Sequence, residues 1–314
     1  MGSSEQKLDF ATQLDFSAIL TNPILDIAAR VWDEDRYQAF RVCYRSMRRI
    51  DDLVDEPKSA GVRLGASEAA AMSEQMTQWL QSIRSRDPRD NYSRQFIDTL
   101  DRYAIPLWPW ERLCRAMIYD LTHDGFPTLL AFLRYCEGAA IAPAAIFMHL
   151  CGVRAARGQF QAPPFDIRIA ARSLAIFSYL THIMRDFEKD QRNHLHYFAD
   201  ALMADSGISR AELARVAETA VPTPAFRHLM QTYQHVAEYY RVRARRILDT
   251  TLPLLEPRYQ LSLELIYQLY LQIFERVDTV RADFSEISMQ IPPDLLQKRI
   301  MATIEHFQPV EKSS

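Results

Sequence analysis

The sequence predicts an all-α protein folded as a single domain. Glycine accounts for 8 of its 314 residues, whereas 48% are hydrophobic, and this balance favours helices over a turn-rich β architecture. Long segments, residues 128–157 among them, consist almost entirely of helix-forming residues with an apolar face. Two pairs of aspartates, each spaced four residues apart, interrupt apolar segments of this kind. We therefore expect a helical scaffold that carries an acidic site.

The domain organisation is predicted from where the apolar periodicity starts and stops. We expect a leader over residues 1–20, one helical domain over residues 21–306 and a polar tail over residues 307–314. Length alone also allows two domains. Residues 221–224 contain two prolines, but the apolar periodicity resumes directly after them, so they are interpreted as a hinge between helices.

The first half of the domain is predicted to contain consecutive helices. An entry helix follows residues 22–23 (NP), because asparagine caps helices and proline opens them. The next helix starts at Asp33 or Asp35 and runs to Asp55, and Pro57 is expected to end it. A loop over 57–66 and helices over 67–84, 91–104 and 110–123 follow in order.

The second half continues the same pattern. Residues 128–157 form a helix that Pro143 should kink by removing a hydrogen bond. The run of small residues beside Pro143 either lets the backbone approach a neighbouring helix or leaves room for a bulky ligand. A loop over 158–165 precedes a helix over residues 166–190. Ser209 caps a short helix, and helices over 257–283 and 292–306 complete the domain.

Charge, cysteine content and hydropathy exclude several classes of protein. The net charge of −3 gives no basic excess for nucleic-acid binding. The four cysteines are isolated and fit neither a zinc site nor a disulfide framework, which is typical of the reducing cytoplasm. No signal-peptide core and no apolar run of about 18 residues is present, so neither export nor a transmembrane helix is expected.

Two acidic pairs carry the chemistry. Asp51 and Asp55 form one pair and Asp186 and Asp190 the other, and on a helix such a spacing places both carboxylates on one face. Four carboxylates around a shared cavity would favour a hard divalent cation. Mg²⁺ is the expected ion, with Mn²⁺ as the alternative, since both prefer oxygen ligands and Mg²⁺ commonly bridges carboxylates to substrate phosphates.

A solvated helix face is the alternative explanation for such a pair. Aspartates four residues apart repel each other on a helix by a few tenths of a kcal/mol, so helix stability does not require them. Both pairs, however, follow apolar segments, and each has an arginine nearby, Arg48 or Arg185. Acidic groups in apolar helices are typical of cavities rather than of surfaces. We therefore predict a diphosphate-binding site with magnesium.

Three segments resemble the squalene and phytoene synthases. Residues 44–56 (YRSMRRIDDLVDE) are similar to the first aspartate-rich motif of that family, and residues 180–190 (LTHIMRDFEKD) are similar to the second. Residues 133–140 (LRYCEGAA) resemble the central tyrosine-cysteine helix of the family. The segments occur in the family order and spacing, and the resemblance covers roughly residues 20–285. It implies an isoprenoid-synthase-type helical bundle around a central cavity.

The resemblance also implies roles for fourteen residues. Those assigned to metal binding are aspartates of the two motifs, namely Asp51, Asp55, Asp186 and Asp190. Those assigned to catalysis are aromatic or cationic, namely Tyr44, Arg48, Tyr135, Arg185 and Tyr270. Those assigned to substrate binding are Asn22, Leu25, Asp52, His182 and Tyr197.

The chain departs from the family pattern at several positions. The second motif of the family typically reads Gln-x-x-Asn-Ile-x-Arg-Asp, whereas this chain has Tyr179 and His182 in place of the glutamine and the asparagine. Leu195 stands where the family usually has an arginine. His194 and His196 are interpreted as surface loop histidines, with contact to a diphosphate as the alternative. Imidazole is a poorer Mg²⁺ ligand than an amide oxygen. These departures leave open which product the reaction implied by the resemblance would give.

The reaction implied by the resemblance is head-to-head (1′–1) condensation of two prenyl diphosphates with release of diphosphate. Two farnesyl groups would give a squalene- or dehydrosqualene-type product, and two geranylgeranyl groups would give phytoene. A cyclase or lyase that acts on a single prenyl diphosphate is one alternative. A non-catalytic binding or assembly protein is another, although the four retained aspartates argue against it. A di-iron bundle would need Glu-x-x-His pairs, which the sequence does not place around one core.

Cofactors and partners follow from the same reaction. NADPH would be needed if the product is reduced to squalene. The expected partners are prenyl diphosphates, with peripheral membrane contact as an alternative for product release, and no nucleic acid. The sequence leaves the oligomeric state open.

Overall fold

The computed structural model describes residues 15–59, 64–156 and 158–311, and its architecture is all-α as predicted. The predicted leader falls largely outside these residues, as do residues 60–63 of the predicted loop and the end of the tail. The helices in chain order are α1 (Ile24–Ala29), α2 (Glu34–Ser59), α3 (Ala66–Arg84), α4 (Asn91–Arg102), α5 (Trp108–Thr122), α6 (Leu129–Ala139), α7 (Ile141–Gly152), α8 (Ile167–Arg185), α9 (Phe187–Arg192), α10 (Asp200–Ser206), α11 (Arg210–Thr219), α12 (Pro224–Thr251), α13 (Pro257–Phe274), α14 (Glu286–Met289) and α15 (Pro293–His306). Short 3₁₀ turns lie at Phe16–Ile19 and Leu252–Leu254.

Helix α8 lies at the centre of the bundle. It packs along α12 and α7 and also contacts α13, α9 and α6. Apolar residues such as Ile176, Phe177 and Leu180 are fully buried in it, and burying a side chain of this size contributes about 1.5–3 kcal/mol. Asp166 begins the helix by accepting hydrogen bonds from the backbone amides of Arg168 and Ile169. One face of α8, with Ala171, Ala175, Tyr179 and His182 among its residues, borders the cavity described below.

Two buried tryptophans fix the helices that border the cavity. The indole Nε1 of Trp110 on α5 donates to Ser46 Oγ on α2 at 2.8 Å. The indole Nε1 of Trp32 donates to Ser262 Oγ on α13 at 2.8 Å, and that hydroxyl donates to the Ala28 carbonyl of α1 at 2.7 Å. Both indoles are satisfied within the core, which sets the positions of α1 and α2 relative to α5 and α13.

The predicted break near Pro143 exists but lies three residues earlier. Helix α6 ends at Ala139, α7 begins at Ile141, and the two helices are bent by 42°. Ala140 between them has φ −120° and ψ −51°. Pro143 lies in the first turn of α7, where a missing backbone N–H is tolerated, so it does not produce the bend at its own position.

Several predicted boundaries were wrong. Pro57 lies inside α2, which continues to Ser59. The sequence predicted a helix as far as residue 157 and a loop over 158–165. These segments instead contain an antiparallel hairpin, formed by β1 (Arg154–Ala156) and β2 (Gln159–Gln161). The helix predicted over residues 257–283 ends at Phe274.

The helix predicted over residues 166–190 is also divided. Helix α8 ends at Arg185, α9 begins at Phe187, and Asp186 between them has φ −92° and ψ 12°. Asp186 still joins the two segments, because its amide donates to the His182 carbonyl at 2.8 Å and its carbonyl accepts from the Asp190 amide at 2.8 Å. Asp186 and Asp190 therefore belong to different helices, unlike Asp51 and Asp55.

The four cysteines are free and buried. This agrees with the prediction that they do not form a disulfide framework. Within the described residues, no single helix has the length and apolarity needed to cross a bilayer, and the bent pair α6–α7 meets that test by length and composition alone.

Candidate active site

One cavity brings together all fourteen residues that the sequence assigned to a site. Its volume is about 1150 Å³, which exceeds the roughly 300–1,000 Å³ of common ligand pockets. The predicted residues on its wall are Asn22, Leu25, Tyr44, Arg48, Asp51, Asp52, Asp55, Tyr135, His182, Arg185, Asp186, Asp190, Tyr197 and Tyr270. Helices α1, α2, α6, α8, α9 and α13 each contribute to this wall.

The first acidic group lies along α2. Asp51 and Asp55 are separated by one helical turn and both face the cavity, as does Asp52. The guanidinium of Arg48 donates to Asp51 Oδ2 at 2.6 Å and also pairs with Asp52. Arg48 is thus held at the cavity by its own motif, and its charge remains half exposed to whatever enters.

The second acidic group lies where α8 ends and α9 begins. Arg185 donates from Nε to Asp186 Oδ1 at 2.5 Å and from its terminal nitrogen to Oδ2 at 2.8 Å. His182 Nε2 lies 2.6 Å from the same Oδ2. Asp190, on α9, lines the cavity beside them. Two cationic or hydrogen-donating side chains therefore converge on Asp186, a charge-assisted arrangement that anchors both of them.

The carboxylates repel one another across the cavity. Burial raises the pKa of Asp51 to about 7, and the neighbouring charge of Asp55 adds to the effect. Burial likewise raises the pKa of Asp190 to about 8, with contributions from Asp186 and from Asp55 on the facing helix. Burial would also raise the pKa of Asp186, but the hydrogen bonds from Arg185 and His182 outweigh it and lower that pKa. A site with this excess of negative charge favours bound cations.

The spacing of the carboxylates bears on the kind of metal site they could form. Among the residues that the structure describes, no three His, Cys, Asp or Glu side chains are close enough together to hold one ion by themselves. Mg²⁺ is usually bound by one or two carboxylates, with the remaining positions filled by water and substrate phosphates. The two aspartate pairs fit that mode of binding, with the ligand between them, and do not fit a cage made by the protein alone.

Tyrosines cover much of the wall near the acidic groups. Tyr44 stacks on Phe40 with ring centroids 5.4 Å apart. The Tyr135 hydroxyl donates to Asp120 Oδ2 at 2.6 Å. Burial raises the pKa of Tyr135, Tyr197 and Tyr270, which line the cavity, so these rings are neutral at pH 7. Neutral aromatic faces can stabilise a nearby cation.

Beyond the tyrosines the wall is apolar. The break between α6 and α7 places small residues, Ala139, Ala140 and Ala144, beside the cavity. Leu174 on α8 and Ile266 on α13 lie on the same wall. The run of small residues noted in the sequence therefore does leave room for a bulky apolar ligand.

The entry segment contributes two residues to the cavity wall, Leu25 on α1 and Asn22 just before that helix. The Asn22 amide donates to Asp26 Oδ2 at 2.6 Å, and the Tyr37 hydroxyl donates to Asp26 Oδ1 at 2.8 Å. Asp26 thus fixes the orientation of the Asn22 side chain relative to α2.

Sequence reasoning missed four polar residues on the wall, namely Thr21, Ser178, Lys189 and Asn193. Lys189 and Asn193 both line the cavity close to Asp190. The sequence could have identified Lys189 and Asn193, because each lies within one helical turn of Asp190. In the segment after α9 the cavity is lined by Leu195, whereas His194 and His196 are absent from its wall. His196 Nε2 instead lies 3.9 Å from Asp124 Oδ1, and His194 is exposed, which favours the interpretation of both as surface loop histidines.

An all-helical bundle with facing acidic groups around a large cavity defines the structural class of the protein. The sequence profile of the squalene/phytoene synthases matches residues 26–298. The chain therefore belongs to the squalene/phytoene synthase family.

Curated relatives show the same similarity. The chain is 25% identical over 185 residues to a 15-cis-phytoene synthase of Synechococcus elongatus, covering 57% of this chain and 58% of the relative. It is 24% identical over 182 residues to the chloroplastic phytoene synthase 2 of Solanum lycopersicum, covering 57% and 55%. The chain spans about half the length of the curated relatives it matches.

Solved structures share the fold. A crystal structure of a dehydrosqualene synthase in complex with ligand aligns with a TM-score of 0.70 and 18% identity, covering 96% of this chain and 99% of that one. The squalene synthase HpnC from Alicyclobacillus acidocaldarius aligns with a TM-score of 0.62 and 16% identity, covering 86% and 90%. These likenesses establish the all-helical fold, and at this identity they establish the fold alone.

Proposed function

We propose that the protein is a prenyltransferase that joins two prenyl diphosphates head to head and releases diphosphate. The observation that carries this proposal is the placement of two acidic groups, with Arg48 and Arg185, on the wall of an apolar cavity of about 1150 Å³. Membership of the squalene/phytoene synthase family supports the same reaction. We propose farnesyl diphosphate as the substrate, with geranylgeranyl diphosphate as the alternative.

The polar end of the cavity would bind the leaving group. Arg48, Arg185 and Lys189 supply positive charge that can pair with phosphate oxygens. Asp51 and Asp55 on one side, with Asp186 and Asp190 on the other, are the residues that would hold Mg²⁺. When bound, Mg²⁺ would neutralise charge that develops on the departing diphosphate.

The rest of the cavity would protect the carbocation left behind. Tyr44, Tyr135 and Tyr270 offer neutral aromatic faces, and the residues beyond them exclude water. Asp52, Asn22, Leu25, His182 and Tyr197 are proposed to position the substrate at the edge of the same cavity.

A second candidate is a lyase or cyclase that acts on one prenyl diphosphate. Its support is the tyrosine at 179 and the histidine at 182, which change the wall next to the acidic groups. In both candidates the substrate loses diphosphate and leaves a carbocation. They differ in the reaction that the carbocation then undergoes.

Product analysis separates the candidates. The protein is incubated with MgCl₂ and either labelled farnesyl or labelled geranylgeranyl diphosphate, and the extract is analysed by gas chromatography and mass spectrometry. A C30 or C40 product supports condensation, and a C15 or C20 product supports the lyase. Absence of diphosphate release from both substrates contradicts both candidates. Adding NADPH tests whether the product is reduced.

A further inference from the structure

Helices α6, α8 and α12 together carry a face that is rich in arginine. Arg168 Nε on α8 donates to Glu137 Oε2 on α6 at 2.9 Å, and Arg172 pairs with the other oxygen of the same carboxylate. Burial raises the pKa of Tyr240 on α12, and the nearby Arg172 guanidinium opposes that rise, so α12 adjoins the other two helices here. We call this surface the basic face, and its arginines are Arg134, Arg168, Arg172, Arg243 and Arg246.

The basic face carries more positive charge than its acidic neighbours neutralise. Glu137 supplies one negative charge against the five arginines. Arg134 and Arg246 are exposed, and in the part of the chain that the structure describes neither forms an ion pair. The other acidic residues close to the face in sequence already have partners, namely Asp166, which caps α8, and Glu238 and Asp249, which pair with Arg241 and Arg245. The chain as a whole has a net charge of −3, so this positive region is local and can attract an anionic surface.

Three large apolar or aromatic side chains accompany the arginines. Leu130, Ile169 and Tyr239 are 57%, 63% and 55% exposed, and each belongs to a different one of the three helices. Leu130 lies two turns before Glu137 on the same face of α6. Arg243 donates to the Tyr239 hydroxyl at 3.0 Å, and its guanidinium lies 5.4 Å from the centroid of that ring. Exposed apolar residues among basic ones are typical of membrane interfaces, where apolar side chains enter the boundary and tyrosine lies at headgroup level.

The apolar part of the cavity lies beside the basic face. The first half of α8 carries Arg168 and Ile169 on the surface, and it also places Ala171, Leu174 and Ala175 on the cavity wall. One helix, about 10–12 Å across with its side chains, therefore borders both. The second acidic group lies at the other end of this 19-residue helix, which is about 28 Å long. A bilayer on the basic face would thus meet the protein next to the apolar part of the cavity and away from that acidic group.

We propose that the basic face docks the protein on a bilayer that contains anionic phospholipid. The arginines contact the lipid phosphates, and Leu130, Ile169 and Tyr239 enter the interface. Charge complementarity selects anionic lipid, and the apolar side chains favour a bilayer over nucleic acid, whose interfaces with proteins are more polar. The docking is separate from the proposed reaction and is measured without substrate or Mg²⁺, so the failure of either proposal leaves the other standing.

The test measures how the full-length protein partitions onto vesicles that are sedimented in low-salt buffer. The vesicles contain phosphatidylcholine alone or an equimolar mixture of phosphatidylcholine and phosphatidylglycerol. The first variant combines Arg134→Gln with Arg246→Gln, which removes two exposed arginines of the basic face. The matched control combines Arg89→Gln with Arg94→Gln, two exposed arginines beside and on α4, a helix that packs against α2. Both pairs change the net charge by the same amount.

The wild type should bind the mixed vesicles and bind phosphatidylcholine alone only weakly. One basic residue near an anionic surface changes partition by about fivefold, so the Arg134/Arg246 variant should bind the mixed vesicles about tenfold or more weakly than the wild type. The Arg89/Arg94 control should stay within about twofold of the wild type, because its arginines lie outside the basic face. An equal loss in both pairs would assign the binding to net charge and overturn the proposal. Wild-type protein that does not bind the mixed vesicles, or that binds both kinds equally, also overturns it.

A second pair of variants tests the apolar side chains of the face. Leu130→Gln combined with Ile169→Gln should weaken binding to the mixed vesicles by about fivefold or more, since both side chains would lose apolar contact with the bilayer. Val280→Gln combined with Ile287→Gln is the control, because these residues are 78% and 87% exposed but lie after α13 and on α14. The control should bind as the wild type does. Equal binding by the two pairs would contradict docking through the basic face.

Folding of the variants is checked by circular dichroism, and the wild type provides a measurement that needs no variant. Phenylglyoxal modifies exposed arginines, and mass spectrometry of the peptides locates the modified residues. The mixed vesicles should protect Arg134 and Arg246 from modification and leave Arg89 and Arg94 as reactive as they are without vesicles. Equal protection of the two pairs, or no protection of Arg134 and Arg246, overturns the proposal.

Discussion

His182 Nε2 lies 2.6 Å from Asp186 Oδ2, across one turn at the end of α8. The same oxygen also accepts a hydrogen bond from Arg185 at 2.8 Å. His182 thus acts on the cavity through Asp186 as well as through its own exposed edge. Where the related motif has asparagine, this chain places a ring nitrogen that competes for an oxygen which a metal ion could use.

Replacing His182 with asparagine is expected to strengthen the response to Mg²⁺. His182→Asn removes the imidazole from Asp186 and provides an amide oxygen, which suits Mg²⁺ better than a ring nitrogen. Changes to groups that orient metal ligands typically alter affinity by about 10–100-fold, so we expect the Mg²⁺ concentration for half-maximal diphosphate release to fall by about tenfold.

His194→Asn is the matched control. His194 is absent from the cavity wall, and its positive φ of 55° is one that asparagine tolerates. This variant should keep the wild-type Mg²⁺ dependence. A higher Mg²⁺ requirement in His182→Asn would show that the imidazole supports metal binding and would contradict the prediction.

The acidic groups themselves are tested by neutral replacements of the same shape. Asp51→Asn and Asp186→Asn should each lower diphosphate release by about 100-fold or more, because each removes a proposed Mg²⁺ ligand or the partner of Arg185. Asp205→Asn, an exposed position on α10, is the control and should leave the rate unchanged. Circular dichroism should show native helix content in all three. Near-normal turnover in either cavity variant would refute the metal assignment.

The stability of the metal-free protein should depend on the charge of Asp190. Its pKa in the folded protein is raised to about 8, from an ordinary value of 3.8. The folded state therefore holds a proton that the unfolded chain releases, so the stability due to this group is full below about pH 4 and is lost as the pH rises toward 8. In EDTA, the unfolding temperature of the wild type should fall between pH 5 and pH 8 relative to Asp190→Asn.

The size of that difference can be judged from thermal unfolding. One kcal/mol corresponds to about 2–4 °C in unfolding temperature for a domain of 150–250 residues. We therefore expect the unfolding temperature of the wild type to fall by several degrees relative to that of Asp190→Asn. Adding MgCl₂ with inorganic diphosphate at pH 8 should recover it in the wild type and less in Asp190→Asn. Parallel pH curves for the two proteins would contradict the raised pKa.

The sequence predicted the fold class and the composition of the cavity wall, for different reasons. Helix periodicity and low glycine content are local signals, and they were sufficient for the all-α class and for most helices. The two aspartate pairs could be placed from their own spacing, because residues three or four apart on a helix share a face. The set of fourteen residues that lines the cavity was assigned from the resemblance to the squalene and phytoene synthases.

The errors arose where tertiary packing overrides local preference. The bend between α6 and α7 lies at Ala140 and not at Pro143, and Asp186 leaves the helical conformation although no proline or glycine is nearby. The bidentate hydrogen bonding of Arg185 to the side chain of Asp186 accompanies that break and could not be read from residue spacing. Tyr179 was noted as a departure, but its place between three aromatic rings depends on α6 and on the segment after α9.

Gly138 provides a test of how closely α6 packs against α5. A Cβ at this position would overlap the Arg112 carbonyl and would also press on Ala116, both on α5. Gly138→Ala should therefore destabilise the protein by about 1–3 kcal/mol and lower its unfolding temperature by several degrees, although alanine has the higher helix propensity. Because Tyr135 lies one turn away on α6, diphosphate release should fall as well. Gly65→Ala is the comparison, since a Cβ there meets nothing closer than a Glu68 side-chain oxygen at 3.5 Å. Gly65 is the N-cap of α3, where alanine is less favourable than glycine, so this variant should lose only about 1 kcal/mol or less and should be more stable than Gly138→Ala. A Gly138→Ala protein as stable as Gly65→Ala would mean that α5 and α6 are less closely packed than described.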